Sequence, residues 1–320
     1  MKTGLAICVF ILAAVAGLLM LERREPVDQD TGATAEQKLV RSALPEDLPA
    51  IYEPGEPAVL GAGFDALLLA CQQAAQPIAS SDETLQIEHS DAVCLALQNA
   101  LASGAFEDGF ADRLVPPFDL YSDDLRQLFR VTMQAINLRF ARLLEAEDYE
   151  AADRLARAHF ELGRRVFTQN IRLRARQHGL GLMDTGLGQI RQAAQAEATL
   201  ETTDAGRLEE LVQVEEHVDA WEQAVVAIDS AWREKLDWIS SARPNVADLI
   251  RVAELDADRS LRVYATHQLG YARFERSEPG NQRMIAQAIQ RASESDDPLI
   301  RQAARFAQRM NREQFYTAKP

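Results

Sequence analysis

The chain has 320 residues, of which 47% are hydrophobic and 26% are charged, and its formal net charge is −15. The apolar content is high enough to bury a sizeable core, which excludes a globally disordered chain. The acidic balance weighs against nucleic acid as a partner, because binding to phosphates requires a basic surface. We therefore expect a folded protein with no nucleic-acid partner.

The N-terminus carries one long apolar segment. Residues 4–21 contain no charged side chain, while Lys2 precedes them and Glu22 follows. Their length meets the requirement for a membrane-spanning helix, so we predict an anchor within residues 1–22. A cleaved signal peptide is the alternative, because residues 14–16 are small enough to form a cleavage site. We favour the anchor, since the apolar segment continues to Leu21.

The charges that flank this segment also bear on its orientation. Lys2 favours an N-terminus inside the cell, whereas Arg23 and Arg24 favour the opposite orientation. Only three residues precede the segment, and so short a leader usually stays inside while the body is exported. We expect a membrane-anchored protein whose body is periplasmic or otherwise exported.

Residues 23–60 read as a linker, because they combine small and charged residues with five prolines, Pro26, Pro45, Pro49, Pro54 and Pro57. From residue 61 onward, apolar residues recur at helical spacing, and alternating strand-like runs are missing from the sequence. We predict an all-α fold with an N-terminal transmembrane helix, a linker and a helical-hairpin or α-solenoid-like body. The body divides into a helical domain at 61–243 and a repeat region at 244–320.

The repeat region is defined by an internal match at an offset of 39 residues. Residues 258–262, Asp-Arg-Ser-Leu-Arg, correspond to residues 297–301, Asp-Pro-Leu-Ile-Arg. In each copy we expect the aspartate to cap a helix, and Leu261 or Ile300 to begin its buried face. A period near 40 is typical of HEAT arrays, and residues 244–315 resemble HEAT repeats. The resemblance implies stacked helices and, commonly, protein binding.

A second resemblance is confined to residues 138–162. Glu147-Asp148-Tyr149-Glu150-Ala151-Ala152 is similar to the turn into the second helix of a tetratricopeptide unit. The sequence contains one such unit and no second copy. Any two antiparallel helices joined by a tight turn would produce the same pattern.

A basic helix is predicted from Glu150 to Gln177, with seven arginines against three acidic residues. At 100° per residue, five of the arginines share one side and form a candidate interaction face: Arg154, Arg157, Arg165, Arg172 and Arg176. This face suits an acidic partner, anionic lipid or an anionic ligand. We favour the alternative, pairing with the acidic segment 201–237 of the same chain. We interpret Gly179–Gly188, which follows, as a connector between helices.

Cys71 and Cys94 lie on the apolar faces of two predicted helices. An antiparallel hairpin would bring them to one interface, where a disulfide could form in an exported body. Two buried free thiols are the alternative, and the one that we favour.

No enzyme motif is evident in the sequence. It contains no HExxH motif, no GxSxG motif and no phosphate-binding GK loop. None of the five histidines has the spacing of a metal ligand. Residues 61–66 fit the dinucleotide fingerprint GxGxxA, but no strand pattern precedes or follows them. We predict no catalytic, cofactor-binding or metal-binding residues and no cofactor. The sequence favours a membrane-tethered helical scaffold that binds another protein, of unknown identity. The alternative is an enzyme or ligand-binding domain whose site no motif reveals.

Deletion of residues 4–21 tests the predicted anchor. The full-length chain should sediment with membranes, and the deletion variant should stay in the supernatant, because the apolar segment holds the protein in the bilayer. Immunoblotting of the two fractions measures this. A deletion variant that still sediments, or a mature chain that begins near Gly17, would contradict the prediction.

Overall fold

The computed structural model describes residues 44–53, 63–102, 123–169, 173–200, 203–240, 245–272 and 279–317. Every regular element in these ranges is a helix, which confirms the all-α prediction. The predicted anchor lies outside the described residues. Among the described ones, no helix combines the length and apolar character needed to cross a membrane.

Ten helices occur in the described ranges. In chain order they are α1 (Phe64–Ala74), α2 (Glu83–Ala102), α3 (Asp123–Glu145), α4 (Tyr149–Gln169), α5 (Leu173–Ala198), α6 (Ala205–Ser240), α7 (Val246–Leu255), α8 (Arg259–Gln268), α9 (Pro279–Ser293) and α10 (Pro298–Thr317). Helices α1, α2 and α3 pack on one another, and α3 leads into α4. One hydrophobic core cluster extends from Ile51 to Ala307, so the helices on both sides of residue 243 share it.

The turn between α3 and α4 is tight, as the sequence predicted. Glu147 adopts a φ of 57°, and the backbone N–H of Asp148 donates to the carbonyl of Leu143 at 2.9 Å. This is the Schellman arrangement that ends a helix with one left-handed residue. The Asp148 carboxylate then caps α4 by accepting from the N–H of Ala151 at 3.1 Å.

Helices α4 and α5 form an antiparallel pair in which the backbones meet directly. A Cβ built on Gly186 would lie 2.6 Å from the backbone N of Phe160, and one built on Gly179 would lie 2.6 Å from the N of Phe167. Gly163 faces the same interface from α4. Only glycine fits at such distances, so these three residues set the separation of the two helices.

This pairing corrects two sequence predictions. The predicted helix Glu150–Gln177 is two helices, with α4 ending at Gln169 and α5 beginning at Leu173. The predicted connector Gly179–Gly188 lies inside α5, because its glycines are needed for close helix packing and leave the helix unbroken.

The C-terminal part consists of two helical hairpins. Helix α7 packs on α8 and α9 packs on α10, while α8 also contacts α10 and α7 contacts α9. Asp258 caps α8 by accepting from the N–H of Ser260 at 2.7 Å, and Asp297 caps α10 by accepting from the N–H of Leu299 at 2.9 Å. Leu261 and Ile300 are both buried. The caps and buried positions expected from the 39-residue offset are therefore present.

Alanine substitution of two glycines in α5 tests the close packing. Gly186→Ala should destabilise the protein by about 1–3 kcal/mol, because its Cβ meets the backbone of Phe160. Gly188→Ala is the matched control: a Cβ there meets nothing within 4 Å, so it should stabilise α5 by about 0.5–1 kcal/mol. Denaturant unfolding followed by circular dichroism measures both. Equal effects of the two substitutions would contradict the close packing.

Candidate functional site: the junction groove

Aromatic side chains from α4 and α6 meet in two pairs. The rings of Phe160 and Trp221 lie edge to face with centroids 4.8 Å apart, and those of Phe167 and Trp232 do so at 6.0 Å. The two tryptophans are eleven residues apart on α6, which is close to three turns, so both face α4. The pairs bridge α4 and α6, which both pack on α5.

Arg176 of α5 lies at the end of this aromatic row. Its guanidinium carbon is 4.4 Å from the ring centroids of both Phe167 and Trp232. The same group donates to Asp258 Oδ1 at 2.9 Å and to Ser260 Oγ at 2.7 Å. Burial lowers the pKa of Arg176, and the Asp258 carboxylate opposes that shift. A planar guanidinium suits this position, because it can stack on rings and bond a carboxylate at once.

A second buried ion pair lies beside the first. Lys235 Nζ of α6 is 3.2 Å from Asp256 Oδ2, and both side chains are fully buried. Asp256 Oδ1 also accepts from the backbone N–H of Asp258 at 2.9 Å. Burial raises the pKa of Asp256, and the N–H of Asp258 and the charge of Lys235 oppose this. The loop between α7 and α8 is therefore bound to α5 through Asp258 and to α6 through Asp256; we call these two pairs the junction.

Residues 44–53 pack against the same helices, although we predicted them as part of the linker. We call this segment, Leu-Pro-Glu-Asp-Leu-Pro-Ala-Ile-Tyr-Glu, the strap. Trp221 Nε1 of α6 donates to the carbonyl of Pro49 at 2.7 Å, and Arg157 Nη1 of α4 donates to the carbonyl of Ile51 at 2.7 Å. The Ile51 side chain is buried, at 5% exposure. The strap thus bridges α4 and α6.

A cavity of about 640 Å³ lies between the strap, α4, Trp221 and the α7–α8 loop. We call this space, together with the strap site, the junction groove. Glu161 lies on its α4 wall and accepts from Arg164 at 2.6 and 2.7 Å and from Arg165 at 2.8 Å. Arg259, which also lines the cavity, is bonded to Asp297. Five of the six charged side chains in the lining are therefore paired within the protein: Glu161, Arg164, Arg176, Asp258 and Arg259.

The five arginines of the predicted interaction face do not share one helix. Arg154 and Arg157 pair with Glu150 and Asp153, each one turn earlier on α4. Arg165 pairs with Glu161 and also donates to the carbonyl of Leu101 at 2.9 Å. Arg176 belongs to α5 and to the junction, and Arg172 lies outside the described residues.

The acidic helix α6 has an arginine partner elsewhere. Arg191 of α5 pairs with Asp219 and Glu222. The sequence predicts that arginines of Glu150–Gln177 pair with this acidic helix. The arginine that forms these two ion pairs, Arg191, lies beyond that segment.

Cys71 and Cys94 are both buried, and the structure shows no bond between them. Burial raises the pKa of Cys71 to about 11 and that of Cys94 to about 12. Cys71 Sγ lies 3.3 Å from Thr132 Oγ1. Such thiols are protonated at neutral pH, and the disulfide between them in an exported body stays a prediction.

The described residues contain no cluster of His, Cys, Asp and Glu that could hold a metal ion. His159 is fully buried; its Nδ1 lies 2.8 Å from Gln189 Oε1, and burial lowers its pKa to about 4. It is therefore neutral at physiological pH and part of the core.

The sequence did not predict the strap, the aromatic row or the junction. A signal for the row was the spacing of eleven between Trp221 and Trp232, which places them on one side of a helix. The strap has no comparable signal, because its binding depends on partners more than 100 residues away.

Comparison with protein-family models, curated proteins and solved structures finds no match to this chain.

Proposed function

We propose that this protein is a membrane-tethered helical scaffold that binds another protein, and that the junction groove takes a segment of that partner. The tether is the apolar segment at 4–21, and the body is periplasmic or otherwise exported. The resemblance of residues 244–315 to HEAT repeats, and of 138–162 to a tetratricopeptide unit, supports a protein-binding role. Both families stack helices and present surfaces to peptides or proteins.

The observation that carries the proposal is the way in which the strap is held. The groove binds a segment that forms neither helix nor strand, through side-chain donors on two helices. Trp221 and Arg157 each bond a backbone carbonyl of the strap, and the two carbonyls are two residues apart. Backbone bonds supply affinity that is independent of sequence, while a buried side chain supplies selectivity, as in known modes of peptide recognition.

The groove is also prepared for binding before a partner arrives. The aromatic pairs fix the separation of α4 and α6, so Trp221 and Arg157 are already at the right spacing. A rigid site loses less conformational entropy on binding, which favours affinity. Arg157 is further oriented by Asp153, whose carboxylate accepts from its Nε at 2.6 Å.

A small-molecule ligand is the second candidate, because a cavity of about 640 Å³ falls within the range of ligand sites, roughly 300–1,000 Å³. The pairing of the lining charges speaks against it. A polar ligand that bonds Glu161 would compete with the bonds between Glu161 and its two arginines. A peptide that bonds Trp221 and Arg157 as the strap does leaves those pairs intact.

Site-specific photo-cross-linking in native membranes tests the proposal. A photoreactive residue at Thr168, an exposed position that lines the groove, should give an adduct with a protein partner. The matched control is Leu95, which is 51% exposed on α2 and should give none. Adducts are detected by gel shift and identified by mass spectrometry. No adduct at Thr168, or equal adducts at both positions, would contradict a partner site in the groove.

A further inference from the structure

We propose that the strap is an internal ligand of the junction groove, and that the partner binds by displacing it with a segment of the same chemistry. That segment is non-helical and contains a proline with an aliphatic residue two positions later, as Pro49 and Ile51 do in the strap. The inference rests on the proposed function, and it adds the chemistry of the partner and the regulation of the site.

The chemistry follows from what the groove contacts. The indole of Trp221 bonds the Pro49 carbonyl and the guanidinium of Arg157 bonds the Ile51 carbonyl, so these two donors recognise backbone alone. Ile51 is the buried side chain of the strap. Pro49 disfavours a helical conformation at Leu48, which keeps the segment open for such bonds. A partner segment needs at least these features.

Tyr52 adds a selective contact at the end of the strap. The Tyr52 side chain is half-buried and packs against the hydrophobic core. Burial and the charge of Glu161 raise the pKa of Tyr52, and the charge of Arg165 opposes this. Since a charged side chain would lose hydration at this position, we expect a neutral residue after the aliphatic anchor in the partner.

The strap is held less firmly than the helices beneath it. Of its ten residues, Ile51 is buried, four are half-buried and five are exposed. It forms no helix of its own, whereas the helices beneath it are joined by the aromatic row and the junction. Leu44, Leu48 and Tyr52 pack against the core but are only partly buried. A segment with one fully buried side chain and few hydrogen bonds belongs to the part of a protein that opens at low free-energy cost.

Covalent attachment explains why the strap occupies the groove in the isolated chain. A ligand tethered through a short linker acts at an effective concentration on the order of millimolar. A free peptide must compete with the strap. The apparent affinity of the peptide is therefore its intrinsic affinity multiplied by the fraction of molecules in which the groove is open. Substitutions that release the strap should therefore raise the affinity for a peptide added in trans.

The test uses the full chain in detergent and a fluorescent peptide with the sequence of residues 44–53. Anisotropy should show that Ile51→Asp binds this peptide at least tenfold more tightly than the wild-type chain, because the charged strap leaves the groove. Leu95→Asp is the matched control, with the same change at an exposed site, and should bind as the wild type does. Adding Trp221→Phe to Ile51→Asp should weaken binding at least fivefold, since the donor to the Pro49 carbonyl is lost.

Three results would overturn the inference. The first is equal affinity of Ile51→Asp and wild type for the peptide. The second is loss of folding in both Ile51→Asp and the milder Ile51→Ala, which would show that the fold requires the strap in place. The third is a wild-type dimer that becomes monomeric in Ile51→Asp, which would show that the groove takes the strap of a second copy.

Cross-linking at Thr168 in the Ile51→Asp variant separates this inference from the proposed function. A stronger partner adduct than in wild type supports both. An adduct of unchanged strength keeps the partner site and overturns displacement of the strap. If the peptide binds but no partner adduct forms, the strap is an internal ligand of the groove and the proposed protein partner is contradicted.

Discussion

The ion pair between Arg176 and Asp258 is the interaction on which the rest of this structure depends. Its two side chains are 8% and 0% exposed, so both charges have lost most of their hydration. Removing one partner of such a pair typically costs about 3–5 kcal/mol, because the other charge stays buried without compensation. Here the carboxylate also caps α8 and the guanidinium also stacks between two rings. One pair thereby joins α4, α5, α6 and the first C-terminal hairpin.

This constraint has consequences for function. The aromatic row ends at Arg176, so the junction contacts the rings that bridge α4 and α6. Trp221 and Arg157, the two donors to the strap, lie on these same helices.

Much of the local structure could be predicted from the sequence, because caps and apolar spacing are short-range signals. Asp258 and Asp297 were placed as caps, and Leu261 and Ile300 as buried residues, from the 39-residue offset alone. The break between α4 and α5 was missed, since the helical spacing continues through it. The cluster of glycines at Gly179–Gly188 predicts a flexible connector, but Gly179 and Gly186 lie inside α5, where the close approach of α4 requires glycine. The strap and the junction depend on distant partners, which no local pattern encodes.

A double-mutant cycle at Arg176 and Asp258 tests the central claim most directly. Arg176→Met keeps an unbranched side chain between the rings, and Asp258→Asn keeps an N-cap, so both remove charge with little other change. Free energies of unfolding are measured by denaturant titration for the wild type, each single variant and the double variant. We expect each single variant to lose about 3–5 kcal/mol, and the double variant to lose at least about 2 kcal/mol less than their sum. Losses that add to within about 0.5 kcal/mol would show that the pair does not hold the helices together.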